Sequence, residues 1–267
     1  MELFRGNKDN SLSQIKEAIL NKDVELEVIF GINEFKNPIQ RDVFMKLLET
    51  CKTDYKFQEE VSQLDIRHEF KKNNISNIRC SIHGIDSIKQ YCKTDSLNDI
   101  DNKEFIVKRK HKDKEGKVFE SIKDEDYNLR MTLKDELSLP LSDPKIFQFM
   151  NNHSESRKHF RYKKRFSFIT QDQLFRIDLT VVKSTKKIRG VFNLKKRFRE
   201  ADILSQPEIY ELEIEFIGHQ KENRLDHFDR LFQLVEEQIQ ILKPGQRVSG
   251  NQFNPLNTFQ SPFTTFS

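Results

Sequence analysis

Arg161-Tyr162-Lys163-Lys164-Arg165-Phe166-Ser167-Phe168, followed by Arg176-Ile177-Asp178-Leu179-Thr180-Val181-Val182-Lys183, is the stretch on which the fold turns. In an extended chain, residues two apart point the same way. Tyr162, Phe166 and Phe168 therefore share one face, and Arg161, Lys163, Arg165 and Ser167 the other, with Lys164 interrupting the apolar row. Ile177, Leu179 and Val181 oppose Arg176, Asp178 and Thr180 in the same manner. The alternation predicts strands over 160–169 and 174–183, each with an apolar and a charged face.

Outward from this pair the pattern repeats. Val24, Leu26, Val28 and Phe30 oppose Glu25 and Glu27; Ile78, Cys80 and Ile82 oppose Asn77, Arg79, Ser81 and His83. Leu129, Met131 and Leu133 oppose Asn128, Arg130, Thr132, Lys134 and Glu136, and Leu212, Ile214 and Phe216 oppose Glu211, Glu213 and Glu215. Strands are predicted at 24–30, 65–70, 76–83, 104–110, 127–136 and 209–217, besides the first two. Helices are predicted from Ser11 to Asn21, from Asn37-Pro38 to Cys51, over 85–92, and from Asp226 to Lys243, where Phe228, Leu231, Phe232, Val235, Ile239 and Leu242 recur at helical spacing. One domain over 1–243 is expected, with 244–267 as a tail or linker.

One such strand says only that a sheet face is wet. Two features of the whole set say more. The charges are sorted by strand, carboxylates in the first and last and cations in the middle, whereas a merely solvated face mixes signs because like charges in a row repel. Two separate strands also carry Glu-x-Glu, and five carboxylates crowd together if those strands are neighbours. Crowded carboxylate oxygens suit a hard divalent cation such as Mg²⁺ or Mn²⁺. Rows of Arg and Lys suit phosphate oxygens. Acidic and basic rows facing one interior would make a polyphosphate pocket with its own metal.

Composition limits the alternatives. Among 267 residues, 23 Phe leave ample material for a core despite a charged share of 33%. A net charge of +4 excludes a uniformly polybasic nucleic-acid binder but allows local basic clusters. The three cysteines have no CxxC spacing and the first residues hold no apolar run, so a reduced intracellular setting, nucleus or cytoplasm, and no membrane are expected. There is no P-loop and no Gly-x-Gly-x-x-Gly, and the seven His lack zinc-ligand spacing.

The strings Glu25-Leu26-Glu27-Val28-Ile29-Phe30-Gly31, Arg161 to Phe168, Arg176 to Lys183, and Tyr210-Glu211-Leu212-Glu213-Ile214-Glu215-Phe216, in that order, resemble the triphosphate tunnel metalloenzymes. The likeness is to the RNA 5′-triphosphatases of the fungal type and of large-DNA-virus mRNA capping enzymes. The resemblance implies an α+β fold, mainly antiparallel β: a closed, tunnel-like barrel of about eight strands with helices outside. It implies Glu25, Glu27, Glu211 and Glu213 as ligands of Mg²⁺ or Mn²⁺, with Glu215 as a helper. Arg161, Lys163, Arg165, Arg176 and Lys183 would bind phosphates, as would Arg79, Lys108 and Arg130 on looser matches. Asp178 would orient the basic groups or a water, Thr180 would support it, and Glu136 would activate the attacking water. The implied activity is hydrolysis of the β–γ bond of triphosphate-ended RNA, the first step of mRNA capping. A guanylyltransferase domain or subunit is an implied partner, although its Lys-x-Asp-Gly string is absent here. Two further readings are a hydrolase of inorganic triphosphate or free nucleotides, and a non-catalytic binder of RNA ends or polyphosphate.

Overall fold

In the computed structural model the described residues are 15, 24–31, 38–71, 74–112, 114–124, 128–218 and 226–242. The strands are β1 (Val24–Phe30), β2 (Lys56–Lys71), β3 (Asn74–Ile75), β4 (Ile78–His83), β5 (Lys103–Lys110), β6 (Ile122–Asp124), β7 (Leu129–Leu139), β8 (Lys158–Ile169), β9 (Phe175–Ser184), β10 (Lys187–Ile188), β11 (Val191–Phe192) and β12 (Ile209–Phe216). The helices are α1 (Arg41–Asp54), α2 (Ile85–Thr94), α3 (Pro144–Asn151), α4 (Phe198–Ala201) and α5 (Asp226–Leu242).

Eight strands pair antiparallel in the order β1-β12-β9-β8-β2-β4-β5-β7, and β7 pairs back onto β1 to close the barrel. The fold is the expected closed antiparallel barrel with helices outside. Register carries one face around the whole ring. Glu27 pairs with Glu215, Glu213 with Asp178, Asp178 with Ser167, Lys163 with Gln63, Asp65 with Ser81, Lys108 with Glu136, and Glu25 with Lys134. All these polar side chains share the lumen face.

The opposite, apolar face is turned outward and buried. Val28, Ile214, Ile177, Phe168, Leu64, Ile82 and Leu129 are all at 0% exposure beneath the helices and loops. The barrel is thus inside-out, with its hydrophobic core between wall and helices. Helix α1 buries Phe44, Leu47, Leu48 and Cys51, while α5 buries Leu231, Leu234, Val235 and Ile239. Each such aliphatic side chain contributes on the order of 1.5–3 kcal/mol by leaving water. Tyr55 donates to Glu237 at 3.2 Å and receives a bond from Gln238 at 3.2 Å, which joins the end of α1 to α5.

On the outer side, Tyr91, His153 and His68 form a buried chain, with Oη to Nε2 at 3.0 Å and Nδ1 to Nε2 at 3.0 Å. Burial, helped by the nearby Lys158 charge, holds His68 down to about 3 and His153 to about 2. Both rings are therefore neutral and serve to pin α2 and α3 to β2. Gly31 closes β1 at φ +72, and a Cβ there would sit 3.2 Å from the Ile39 side chain.

Several expectations are corrected in detail. Strand β2 begins at Lys56, not Asp65. Its first half, Lys56-Phe57-Gln58-Glu59-Glu60, lacks apolar alternation, and pairing with β8 holds it extended. The helix predicted from Pro38 begins at Arg41, because Ile39 instead makes an antiparallel bridge to Tyr210. Helix α3, capped by the Asp143 side chain on the Lys145 amide at 2.8 Å, was not anticipated. Of the helix predicted over Ser11–Asn21, only Ile15 is described, buried and helical. Asn37 and the tail 244–267 lie outside the described residues. No helix among the described residues is long and apolar enough to cross a membrane.

Candidate active site

Pairing β1 with β12 puts the two Glu-x-Glu rows side by side, and three carboxylates meet. Glu25, Glu27 and Glu215 each offer an oxygen within 4.8 Å of the others. This differs from the expected ligand set, in which Glu211 and Glu213 stood first and Glu215 was a helper. The reason is register: Glu27 faces Glu215, whereas Glu213 faces Ile29 and Glu211 lies one step farther along β12. Glu211 is paired with Arg161 instead. Glu213 stays in the lumen, where burial and the charges of Glu27 and Glu211 push its carboxyl up.

The trio's environment is that of a charge-crowded site. Burial raises Glu25 and Glu215, the latter to about 7, although Lys108 and Arg176 pull the other way. Burial also acts upward on Glu27, but Lys134 and Lys108 outweigh it and hold that carboxyl below its usual range. Lys108 reaches Glu25 at 2.8 Å, Glu27 at 3.5 Å and Glu136 at 2.7 Å. Burial alone would lower Lys108, and the three acids together more than reverse it. An all-carboxylate set at this spacing fits a hard divalent ion that keeps positions for water and phosphate.

The basic wall continues from the trio onto the next two strands. Arg161, Lys163 and Arg165 line β8, and Arg176 lines β9 beside its ion-pair partner Glu215. Asp178, 2% exposed, accepts from Ser167 at 2.7 Å and from Arg176 at 3.1 Å, and lies 3.6 Å from Arg165. It therefore sets the direction of both guanidinium groups. Arg79 and Arg130 also face the lumen, in register with Ile106 and Ile29. Glu136 is held by Lys108 and stands 3.8 Å from Arg79.

Lys183 is a correction. It pairs with Tyr162 on the outward face of β9, and its ammonium donates to the Leu204 carbonyl at 2.6 Å. The Arg-x-Asp-x-Thr alternation reaches the lumen at Val182, one residue earlier, so Lys183 falls on the other side of the strand.

The lumen also contains residues that the sequence reading passed over. Asp65, 3% exposed, meets Lys163 at 2.5 Å, Gln63 at 2.5 Å and Ser81 at 2.9 Å, with Arg79 at 3.8 Å. Burial works against its charge, but Lys163, Arg79 and Arg161 hold it well below the usual carboxylate range. Arg67 shares this face, as does Lys134, which the alternation had placed on a charged face without a role and which pairs with Glu27. The alternation Gln63-Leu64-Asp65-Ile66-Arg67 was the available signal, cut off by starting the strand at Asp65.

Several lumen groups are shielded from solvent and have no hydrogen-bond partner: the Nε atoms of Arg79, Arg130 and Arg165 and the hydroxyls of Thr132 and Thr180. Buried donors left unmatched cost stability.

Lys163 is lowered to about 8 by burial and by Arg161, Arg79 and Arg165, against the pull of Asp65. Its ammonium binds anions and its free amine does not. Affinity for a non-hydrolysable triphosphate mimic is therefore expected to fall about tenfold per pH unit above pH 8, with proton uptake on binding, as titration calorimetry in two buffers would show. A flat profile between pH 7 and 9 would count against Lys163 as a phosphate contact.

No protein-family profile matches the chain, and no curated protein does. Solved structures do match. The RNA triphosphatase domain of the trifunctional mimivirus mRNA capping enzyme is 24% identical over 91% of this chain and 99% of that one, with a TM-score of 0.64. A monoclinic form of the Mimivirus capping enzyme triphosphatase gives 23% identity, 91% and 100% coverage and a TM-score of 0.62. The S. pombe Pct1 RNA triphosphatase is more distant, at 14% identity, 91% and 93% coverage and a TM-score of 0.45. The chain thus shares its fold, over nine-tenths of its length, with the mimivirus RNA triphosphatase domain.

Proposed function

We propose that this chain is an RNA 5′-triphosphatase dependent on Mg²⁺ or Mn²⁺, acting in the first step of mRNA capping. The observation that carries the reading is the convergence of Glu25, Glu27 and Glu215 with a wall of arginines and lysines inside one closed lumen. A pure polyphosphate binder needs the cations but has no use for three crowded carboxylates. Glu25, Glu27 and Glu215 would hold the ion, which supplies charge neutralisation at the terminal phosphate. Lys163, Arg165 and Arg176 grip the β- and γ-phosphate oxygens and stabilise the charge that spreads over the transferred group. Asp178 holds Arg165 and Arg176 in place for that task. Glu136, steadied by Lys108, positions a water in line with the β–γ bond and takes its proton as the new P–O bond forms. The leaving diphosphate end stays with Arg161 and the other outer cations. No side chain forms a covalent intermediate.

The lumen grips phosphates rather than a base, so inorganic triphosphate and free nucleotides are rival substrates. Phosphate release from triphosphate-ended RNA, ATP and tripolyphosphate should be compared at equal concentration under Mg²⁺ and Mn²⁺. RNA is expected to have the highest kcat/KM; a higher value for either small substrate would replace this reading with that of a general triphosphate hydrolase. A Lys163→Ala change is expected to raise KM for RNA by about tenfold or more, given the strength of a buried charge-assisted contact.

A further inference from the structure

Between Lys183 and Arg199 the chain has eight lysines and arginines and no acidic residue, in a protein whose net charge is only +4. The β10–β11 hairpin lies at the centre of this segment. We infer that this hairpin binds the phosphodiester chain of a single-stranded RNA whose 5′-triphosphate occupies the lumen. The inference rests on the triphosphatase reading and adds to it where the rest of the substrate goes.

Position is the first argument. Strand β9 ends at Ser184, opposite Arg161 of the lumen wall, and the hairpin begins three residues later at Lys187. Its base is fastened to β8: the Thr185 amide donates to Phe160 O at 2.9 Å and the Phe160 amide to the Thr185 hydroxyl at 2.9 Å. On its far strand, the Phe192 ring meets His159 edge-on at 4.4 Å between centroids. His159 pairs with Arg67 of β2. Burial, with Arg67, Arg161 and Lys187 close by, holds that imidazole down to about 3, so it is neutral and can pack against the ring. The hairpin therefore stands over the end of the barrel where Arg67 and Arg161 lie.

Chemistry is the second. Arg165, Lys163 and Arg161 climb β8 toward this end, spaced about 7 Å apart as same-face residues of a strand. Beyond Arg161, Arg67 stands in register with the neutral His159, against which the hairpin's Phe192 packs. Lys196 lies 2.9 Å from Glu155 and Lys183 donates to the Leu204 carbonyl; Lys187, its ammonium 5.0 Å over the Phe192 ring, is exposed on the hairpin, as are Lys186 and Arg189. A triphosphate in the lumen is covalently followed by a phosphodiester chain, and that chain leaves the barrel past these three side chains. An acidic peptide could meet the same charge, but nothing would tie it to the lumen's own cations.

The test uses the full chain with Lys186, Lys187 and Arg189 changed together to Gln. Binding of a short single-stranded RNA bearing a 5′-monophosphate is followed by fluorescence anisotropy at several salt concentrations, and tripolyphosphate hydrolysis is measured in parallel. The variant is expected to bind this RNA about tenfold or more weakly at low salt, with a log–log salt slope shallower by about 2. Tripolyphosphate turnover should be unchanged. Equal affinity and slope for variant and parent would overturn the inference, whether or not the hairpin binds an acidic peptide. An equal loss of tripolyphosphate turnover would overturn it too, since the change would then act through the lumen; the Lys186→Gln and Arg189→Gln single variants show the same pattern in smaller steps if the triple variant folds poorly. If the parent cleaves tripolyphosphate but not triphosphate-ended RNA, while the hairpin change still weakens RNA binding, the function proposed above fails and the hairpin contact stands.

Discussion

Replacing Glu27 by Gln is expected to lower phosphate release from triphosphate-ended RNA by about 10³-fold. Glu27 is 5% exposed, sits between Glu25 and Glu215, and is the trio member whose carboxyl is held ionised, by Lys134 and Lys108. An amide keeps the shape and removes the charge. The loss should fall on the metal as well: the Mn²⁺ concentration for half-maximal activity should rise steeply in Glu27→Gln and Glu215→Gln. In Glu213→Gln it should stay near the parent value, because Glu213 lies outside the trio. If Glu213→Gln shifts the metal requirement and Glu215→Gln does not, the ligand set implied by the family resemblance is right and the trio is not. Full turnover in a folded Glu27→Gln protein would end the metal assignment altogether.

The largest stability effect is expected at Asp65. Its carboxylate is the ion-pair partner of Lys163 and lies beside Arg79, deep in a lumen where Lys163 is 4% exposed. Removing one partner of a buried ion pair strands the other, at about 3–5 kcal/mol. Asp65→Asn should cost about that much in chemical unfolding at neutral pH. The sign follows from linkage: Asp65 is held below its unfolded value, so its stabilisation is complete at neutral pH and is lost only as pH falls below the ordinary carboxylate range. Lys163, deprived of its counter-ion, should then titrate below its present value of about 8, and the loss of triphosphate binding should move to lower pH. A stability change under about 1 kcal/mol would show that the lumen hydrates Asp65 and Lys163 more than their burial indicates.

The period-2 rows were enough to place all eight barrel strands in the chain and to sort the polar from the apolar face of six of them, because a period of two admits no other assignment there. That reasoning located Glu25, Glu27, Arg161, Lys163, Arg165, Arg176, Asp178 and Glu136 on charged faces from one line of text. Lys183 escaped it because a motif was extended one residue past its parity. The start of β2 escaped because Lys56 to Glu60 holds a single apolar residue, Phe57, and owes its extension to β8. Asp65 stood at the start of the predicted strand, whose two faces were left unsorted. Ile39 chose a bridge to Tyr210 over the helix its neighbour Pro38 advertised, a contact between segments far apart in the chain.

Local alternation is a property of one segment, and so the chain's own order of residues decided where strands run and which side of each is charged. Which carboxylates meet is a property of two segments at once. The offset between β1 and β12 sets Glu27 against Glu215 rather than Glu213, and a slip of two residues would have left every periodic row intact while choosing another trio. Closure of β7 onto β1 belongs to the same class, since only it turns the polar face into a shared interior instead of a wet surface. Pairing offset and closure are fixed by packing of the apolar outer face against helices remote in sequence, which no single strand contains.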